Sequence, residues 1–137
     1  MLNSRVQLGL SALFLILSLA CGGQVPLVSK PTPTPSPLNA QDSVAVAPGT
    51  YKDIPLQLNV SNRVVGQLDI QGGSGNDVKF TVFDPFSTVV VNAGIVSGQK
   101  GFSFIASVPG TYTLRFDNSF STFSNKIVKY QATIYWR

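Results

Sequence analysis

From Ser43 onward, apolar and polar residues alternate with a period of two, the signature of strands that bury one face. Ile54, Leu56, Leu58 and Val60 alternate with Asp53, Pro55, Gln57 and Asn59. Val64, Gly66, Leu68 and Ile70 alternate with Val65, Gln67 and Asp69; Val78, Phe80 and Val82 alternate with Lys79 and Thr81. Phe102, Phe104 and Ala106 are interleaved with Ser103 and Ile105, and Tyr112, Leu114 and Phe116 with Thr113 and Arg115. A last run sets Val128, Tyr130, Ala132, Ile134 and Trp136 against Lys129, Gln131, Thr133, Tyr135 and Arg137. Thr88 to Val91 adds a short, uniformly apolar strand.

Turn chemistry punctuates these runs where the alternation stops. Gly72 to Asn76 reads as a loop, and Asp84-Pro85 as a turn. Pro109-Gly110 suits the centre of a type II turn, with Pro then Gly. Ala47-Pro48-Gly49-Thr50-Tyr51 echoes Val108-Pro109-Gly110-Thr111-Tyr112 and reads as a second turn leading into a strand. No window after residue 42 makes a good amphipathic helix. Seven or eight short antiparallel strands in one small domain predict an all-β sandwich.

The residues before Ser43 follow another logic. Val6 to Leu19 is an apolar run behind a short, weakly positive start. It is shorter than the ~20 residues that span a bilayer, which is signal-peptide geometry. Leu17-Ser18-Leu19-Ala20-Cys21 resembles a bacterial lipobox, with Ser18 where that motif usually has Leu. A thioether to diacylglycerol requires the Cys21 sulfur, so residues 1–20 are expected to be a lipoprotein signal peptide and Cys21 the acylated first residue of the mature chain. Residues 21–42 hold Pro26, Pro31, Pro33, Pro35 and Pro37, which cannot donate backbone hydrogen bonds. They are read as a Pro/Thr/Ser-rich tether favouring polyproline II, reaching roughly 60 Å when extended. The folded domain is expected over 43–137.

Composition narrows the chemistry. The chain has no His and one Cys, and all six acidic residues are Asp. The commonest general base and metal ligand are therefore missing, and the domain itself has no thiol. The reading is a domain that is not an enzyme, with no catalytic residue, metal or cofactor. The net charge of +4 is spread along the chain rather than gathered on one element, which does not suit a nucleic-acid partner.

Gly110, Tyr112, Leu114, the hexad Phe116-Asp117-Asn118-Ser119-Phe120-Ser121, Lys126 and Val128 together resemble the GOLD (Golgi dynamics) domain, the lumenal domain of early-secretory-pathway cargo receptors. Upstream, Asp77-Val78-x-Phe80-x-Val82 and Asp84-Pro85 extend the resemblance to about residues 43–136. It implies a β-sandwich and a module for protein or lipid recognition. The β-sandwich appended to secreted bacterial peptidases shares the Pro-Gly-Thr-Tyr turn but has no counterpart of the hexad. The receptors usually carry a disulfide Cys where this chain has Arg115, and they are anchored at the C-terminus, so vesicle sorting does not carry over.

The candidate binding loop is Asp117, Asn118 and Ser119 with Phe120 and Phe123. The first three suit a structural turn in which side chains cap backbone amides and Asn118 tolerates the left-handed conformations that turns require; the alternative is a cation or ligand site. Phe120 and Phe123 either plug the end of the sandwich or form an exposed anchor for a partner. Arg115, on the outward side of its strand, is expected to be replaceable at little cost. The functional expectation is an extracytoplasmic module, held to a membrane of the cell envelope by its N-terminal lipid, that recognises a protein, peptide or lipid. The alternatives are a glycan-binding accessory domain and a structural surface component without a discrete ligand.

Overall fold

A computed structural model describes residues 38–136; the expected signal peptide, Cys21 and the expected tether up to residue 37 lie outside the described residues. Eight strands form: β1 Leu38–Val46, β2 Tyr51–Leu58, β3 Arg63–Gln71, β4 Asp77–Phe83, β5 Val89–Ser97, β6 Gln99–Ile105, β7 Gly110–Asp117 and β8 Lys126–Tyr135. They make two four-stranded antiparallel sheets, in the orders β1-β8-β3-β6 and β2-β7-β4-β5. This is jelly-roll topology, in which nearly every connection crosses from one sheet to the other. Only β4 and β5 are consecutive and paired. Among the described residues there is no helix.

Alternation selects the core. Leu56, Leu58, Val64, Leu68, Ile70, Val78, Phe80, Val82, Tyr112, Leu114, Phe116, Val128, Tyr130, Ala132 and Ile134 are all buried, at alternate positions of their strands, with Gly66 standing between Val64 and Leu68. Aromatic rings bind the two layers together: Phe80 packs against Phe102 at 5.0 Å and Phe116 against Tyr130 at 5.9 Å between centroids. Gly66 occupies an inward position of β3 because a Cβ there would sit 2.2 Å from the Phe102 ring. The glycine is what lets that ring lie flat over its neighbouring strand.

Several expectations shift. Strand pairing begins at Leu38, five residues ahead of the change of pattern at Ser43. β1 is an edge strand whose exposed side chains leave no hydrophobic alternation to read; its backbone pairs with β8 regardless. The short strand at Thr88–Val91 extends to Ser97 as β5, with irregular register against β4. Val60 falls beyond the end of β2 and is exposed, and Trp136 lies past β8, also exposed.

The two Pro-Gly turns differ. At Ala47–Thr50, the Thr50 amide donates to the Ala47 carbonyl at 3.3 Å, and Gly49 has φ +72°, as a type II turn requires. At Pro109-Gly110, Gly110 has φ +139°, well beyond the type II value, and already pairs within β7. Here the buried Tyr112 hydroxyl organises the chain. It accepts from the amides of Ser107 and Val108 at 3.1 and 3.4 Å and donates to the Val108 carbonyl at 3.1 Å. The side chain replaces the turn's own hydrogen bond.

Candidate functional site

The β1–β2, β3–β4, β5–β6 and β7–β8 connections gather at one pole of the sandwich, because antiparallel pairing brings Val46 beside Lys126 and Tyr51 beside Asp117. The longest of them, residues 118–125, carries most of the candidate residues. Its structure is dictated by Asn118, which is 0% exposed. The Asn118 side-chain amide donates to the Val46 carbonyl at 3.1 Å and the Ser124 carbonyl at 2.9 Å, bridging the end of β1 to the end of the loop. Its main chain is bound as well: the amide donates to Thr50 O at 2.8 Å, and the carbonyl accepts from Gly49 and Ser121, each at 3.1 Å. Asn118 is not among the residues of positive φ, so it serves as a buried latch and not as a left-handed turn residue.

Asp117 plays the expected capping part, its Oδ1 accepting from the Ser119 amide at 2.8 Å. Partial burial works against its ionisation. Hydrogen bonding by Ser119 and the nearby charges of Lys79 and Arg115 outweigh that, and hold its pKa below the ordinary carboxylate value. Ser121 Oγ and Ser124 close the far side of the loop through hydrogen bonds at 3.3 Å.

This frame presents the two phenylalanines outward. Phe123 is 92% exposed and Phe120 45% exposed, so neither plugs the sandwich. The inner positions at this pole are filled by Val46, Ile70, Phe116 and Val128, all of them buried.

The other acidic side chains have separate duties. Asp84 caps its own turn, accepting from the amides of Phe86 and Thr88 at 2.9 and 2.8 Å. Asp77 takes the Lys126 ammonium at 2.6 Å, and the Lys126 side chain is only 4% exposed. Among the described residues, no three acidic, His or Cys side chains converge to hold a metal ion. The Asp117 loop is thus organised by hydrogen bonds within the protein.

On the outer face of the β2-β7-β4-β5 sheet, Arg115 points outward as expected but is not an idle surface residue. Its Nε and one terminal nitrogen each lie 2.7 Å from an Asp53 oxygen, a bidentate pair directly across β2 and β7. The guanidinium also sits 4.1 Å from the centre of the Tyr51 ring. The Asp53 hydrogen bond raises the Arg115 pKa further above its already high value, against partial desolvation. Arg115 therefore joins β2 to β7. This contact, the Asn118 latch and the Lys126–Asp77 pair were not visible as pairs in the sequence, since their partners lie 49 to 72 residues apart.

The sequence profile described as the emp24/gp25L/p24 family/GOLD matches residues 54–135, from β2 to the end of β8. No curated protein matches the chain. Among solved structures, the chain is similar to PliG of Aeromonas hydrophila, a periplasmic lysozyme inhibitor of g-type lysozyme. The TM-score is 0.49 at 16% identity, over 70% of this chain and 85% of that one. A structure from Bacillus endospore appendages, described as disulfide-linked pili, aligns with a TM-score of 0.40 and 16% identity, over 77% of this chain and 96% of that one.

Proposed function

Since the chain belongs to the emp24/gp25L/p24 GOLD family, we propose that it is an extracytoplasmic binding module that captures a protein or peptide at the pole carrying Phe120 and Phe123. One observation carries the reading: a nearly fully exposed phenylalanine stands on a loop latched from beneath by a buried asparagine. Exposing such a ring to water is unfavourable by about 2 kcal/mol, which burial against a partner would recover. A latched loop also loses little conformational freedom on binding, and preorganisation of that kind strengthens association. Aromatic anchors of this type dominate interface energetics.

In this proposal the module is a binder and not an enzyme, and it works without metal, cofactor or nucleic acid. The lipobox-like Cys21 would hold it to a membrane of the cell envelope, with the proline-rich segment as spacer. Mass spectrometry of the envelope-extracted protein should find Cys21 as an acylated N-terminus; an unmodified thiol would remove the anchor from the proposal.

The binding claim is tested by placing a photo-crosslinking phenylalanine analogue at position 123 in living cells. A discrete crosslinked protein is expected, competed away by excess wild-type domain. Phe120→Ser/Phe123→Ser should abolish capture while leaving the melting temperature unchanged. Crosslinking only to phospholipid would replace a protein partner by a lipid surface, and a featureless smear would defeat the proposal.

A further inference from the structure

The chain enters the two sheets at the pole opposite Phe120 and Phe123. Leu38 opens β1 beside Ile134, near the end of β8, whereas Val46 at the other end of β1 lies beside Lys126. The β2–β3, β4–β5 and β6–β7 connections return to this entry pole, and β8 ends there. Hydrogen bonds tie the connections together. The Ser61 amide donates to the Ala106 carbonyl at 2.8 Å, and the Ala106 amide donates to the Asn62 carbonyl at 2.9 Å.

Two of these turns hold apolar side chains out to solvent. Phe86 is 76% exposed and Val60 is 55% exposed. Both turns are fixed from within. Around Phe86, Asp84 Oδ1 accepts from the Phe86 and Thr88 amides, and the Asp84 amide donates to the Thr88 carbonyl at 2.8 Å. Around Val60, the buried Asn62 side chain accepts from the Asn59 amide at 2.8 Å, and the Asn62 amide donates to the Asn59 carbonyl at 3.1 Å. Leu38, Ile105, Tyr135 and Trp136 are exposed at the same pole. Exposed Arg63 pairs with Tyr135 on one side and Ile105 on the other, so a cation stands within this apolar rim.

From this arrangement we infer that the entry pole docks on a lipid bilayer, with Phe86 and Val60 entering the interface and Arg63 meeting lipid phosphate. This docking rests on the proposed anchor at Cys21. The occupant follows from where the outer segment joins the domain. The proline-rich stretch from Cys21 to Leu38 spans roughly 50 Å when extended. The phenylalanine pole lies about 30 Å further on, the length of the nine residues of β1. An acylated Cys21 therefore holds the entry pole nearest the bilayer, at high effective concentration. The side chains suit that surface. Tyr and Trp rings are amphipathic and favour the membrane–water boundary. Apolar tips that project singly from tight turns sink into a fluid surface without a complementary pocket, which a protein partner would have to supply. Asp84 is the one charged residue in the three connections, and two backbone amides already occupy its Oδ1. Docked in this way, the domain turns Phe120 and Phe123 away from the membrane.

The test uses residues 21–137, since both sheets are complete within 38–136. Cys21, the only cysteine, is coupled to a maleimide lipid in vesicles of phosphatidylethanolamine and phosphatidylglycerol. The coupling supplies the anchor whether or not cells acylate Cys21. Trp136, the only tryptophan, reports from the pole itself. Its emission should shift to the blue and be quenched by lipids with brominated acyl chains. Val60→Ser/Phe86→Ser should lower the ratio of docked to undocked protein at least about tenfold, because two apolar side chains are lost from the interface, with the melting temperature unchanged. Arg63→Glu should weaken docking on these anionic vesicles. Phe120→Ser/Phe123→Ser should be quenched as the wild type is, which separates docking from the proposed partner capture. Docking is overturned if Trp136 of the coupled chain is not quenched, if the Val60/Phe86 variant is quenched as fully as the wild type, or if the Phe120/Phe123 variant alone loses quenching. A blue shift without lipid, with dimers in sedimentation, would also overturn it, since a second copy would then cover the pole. Acylated Cys21 in cells together with unquenched Trp136 on vesicles would defeat docking and leave the anchor standing.

Discussion

Replacing Asn118 by Ala should be among the most damaging single changes at the β7–β8 loop. Two charge-neutral hydrogen bonds disappear, one to Val46 O and one to Ser124 O, each worth about 1 kcal/mol net. Both carbonyls then lose a donor in a region closed to water, and a small void replaces the amide, which adds about 1 kcal/mol more. One term opposes this: the Asn118 Oδ1 is buried without a partner, and its removal relieves a desolvated acceptor. The net expectation is a loss of about 2–3 kcal/mol. In a domain of this size that lowers the melting temperature by roughly 10–20 °C. Asn118→Asp should be worse, because it turns a carboxylate toward two carbonyls that need a donor. The assay is thermal unfolding by circular dichroism, with hydrogen exchange of the Gly49 and Ser121 amides as a local readout, since both donate to the Asn118 carbonyl. A melting temperature within about 2 °C of wild type, where surface substitutions usually fall, would refute the latch. So would unchanged exchange at Gly49 and Ser121.

Three further outcomes follow from the same contacts. The Arg115–Asp53 pair is about one-third exposed on each side, so a double-mutant cycle should give a coupling of only about 0.5–1 kcal/mol. Arg115→Lys should not restore it, because an ammonium cannot reproduce the bidentate fork; additive single mutants would show the pair to be idle. The buried Lys126–Asp77 pair should be asymmetric in urea titrations. Asp77→Ala strands a buried ammonium and should cost about 3 kcal/mol, whereas Lys126→Met leaves a partly exposed carboxylate and should cost less; the reverse order would contradict the burial. Asp117 has a depressed folded pKa, so its contribution is complete above the unfolded carboxylate value of ~3.9 and is lost as pH falls through the lower folded value. Asp117→Asn should therefore flatten the acid limb of the stability–pH curve without changing its slope above about pH 5, and an unchanged acid limb would contradict this.

The strands and the core were legible in the chain because a period of two is a local property. Val78, Phe80 and Val82 must share a face whatever they meet, and a domain made of such runs has to stack two sheets. Gly110, Tyr112, Leu114 and the hexad from Phe116 likewise carried the family resemblance, and the family profile matches across 54–135. β1 could not be seen in full, since an exposed edge strand draws its stability from backbone pairing with β8 and not from its own apolar residues. Pairings at long separation were equally hidden. Arg115 reads as an outward surface residue until β2 brings Asp53 across from it, and Asn118 reads as a turn residue until β1 delivers the Val46 carbonyl. The direction of Phe120 and Phe123 also depended on the fold: the core at this pole is built from Phe116, Ile70 and Val128, and the loop carries Phe120 and Phe123 outside it. Leu38, Val60, Phe86 and Trp136 are scattered along the chain, and share one pole only because every second connection returns to it. Local periodicity determines which face of a strand is buried; which strands lie side by side, and therefore which polar groups meet, is decided by tertiary packing alone.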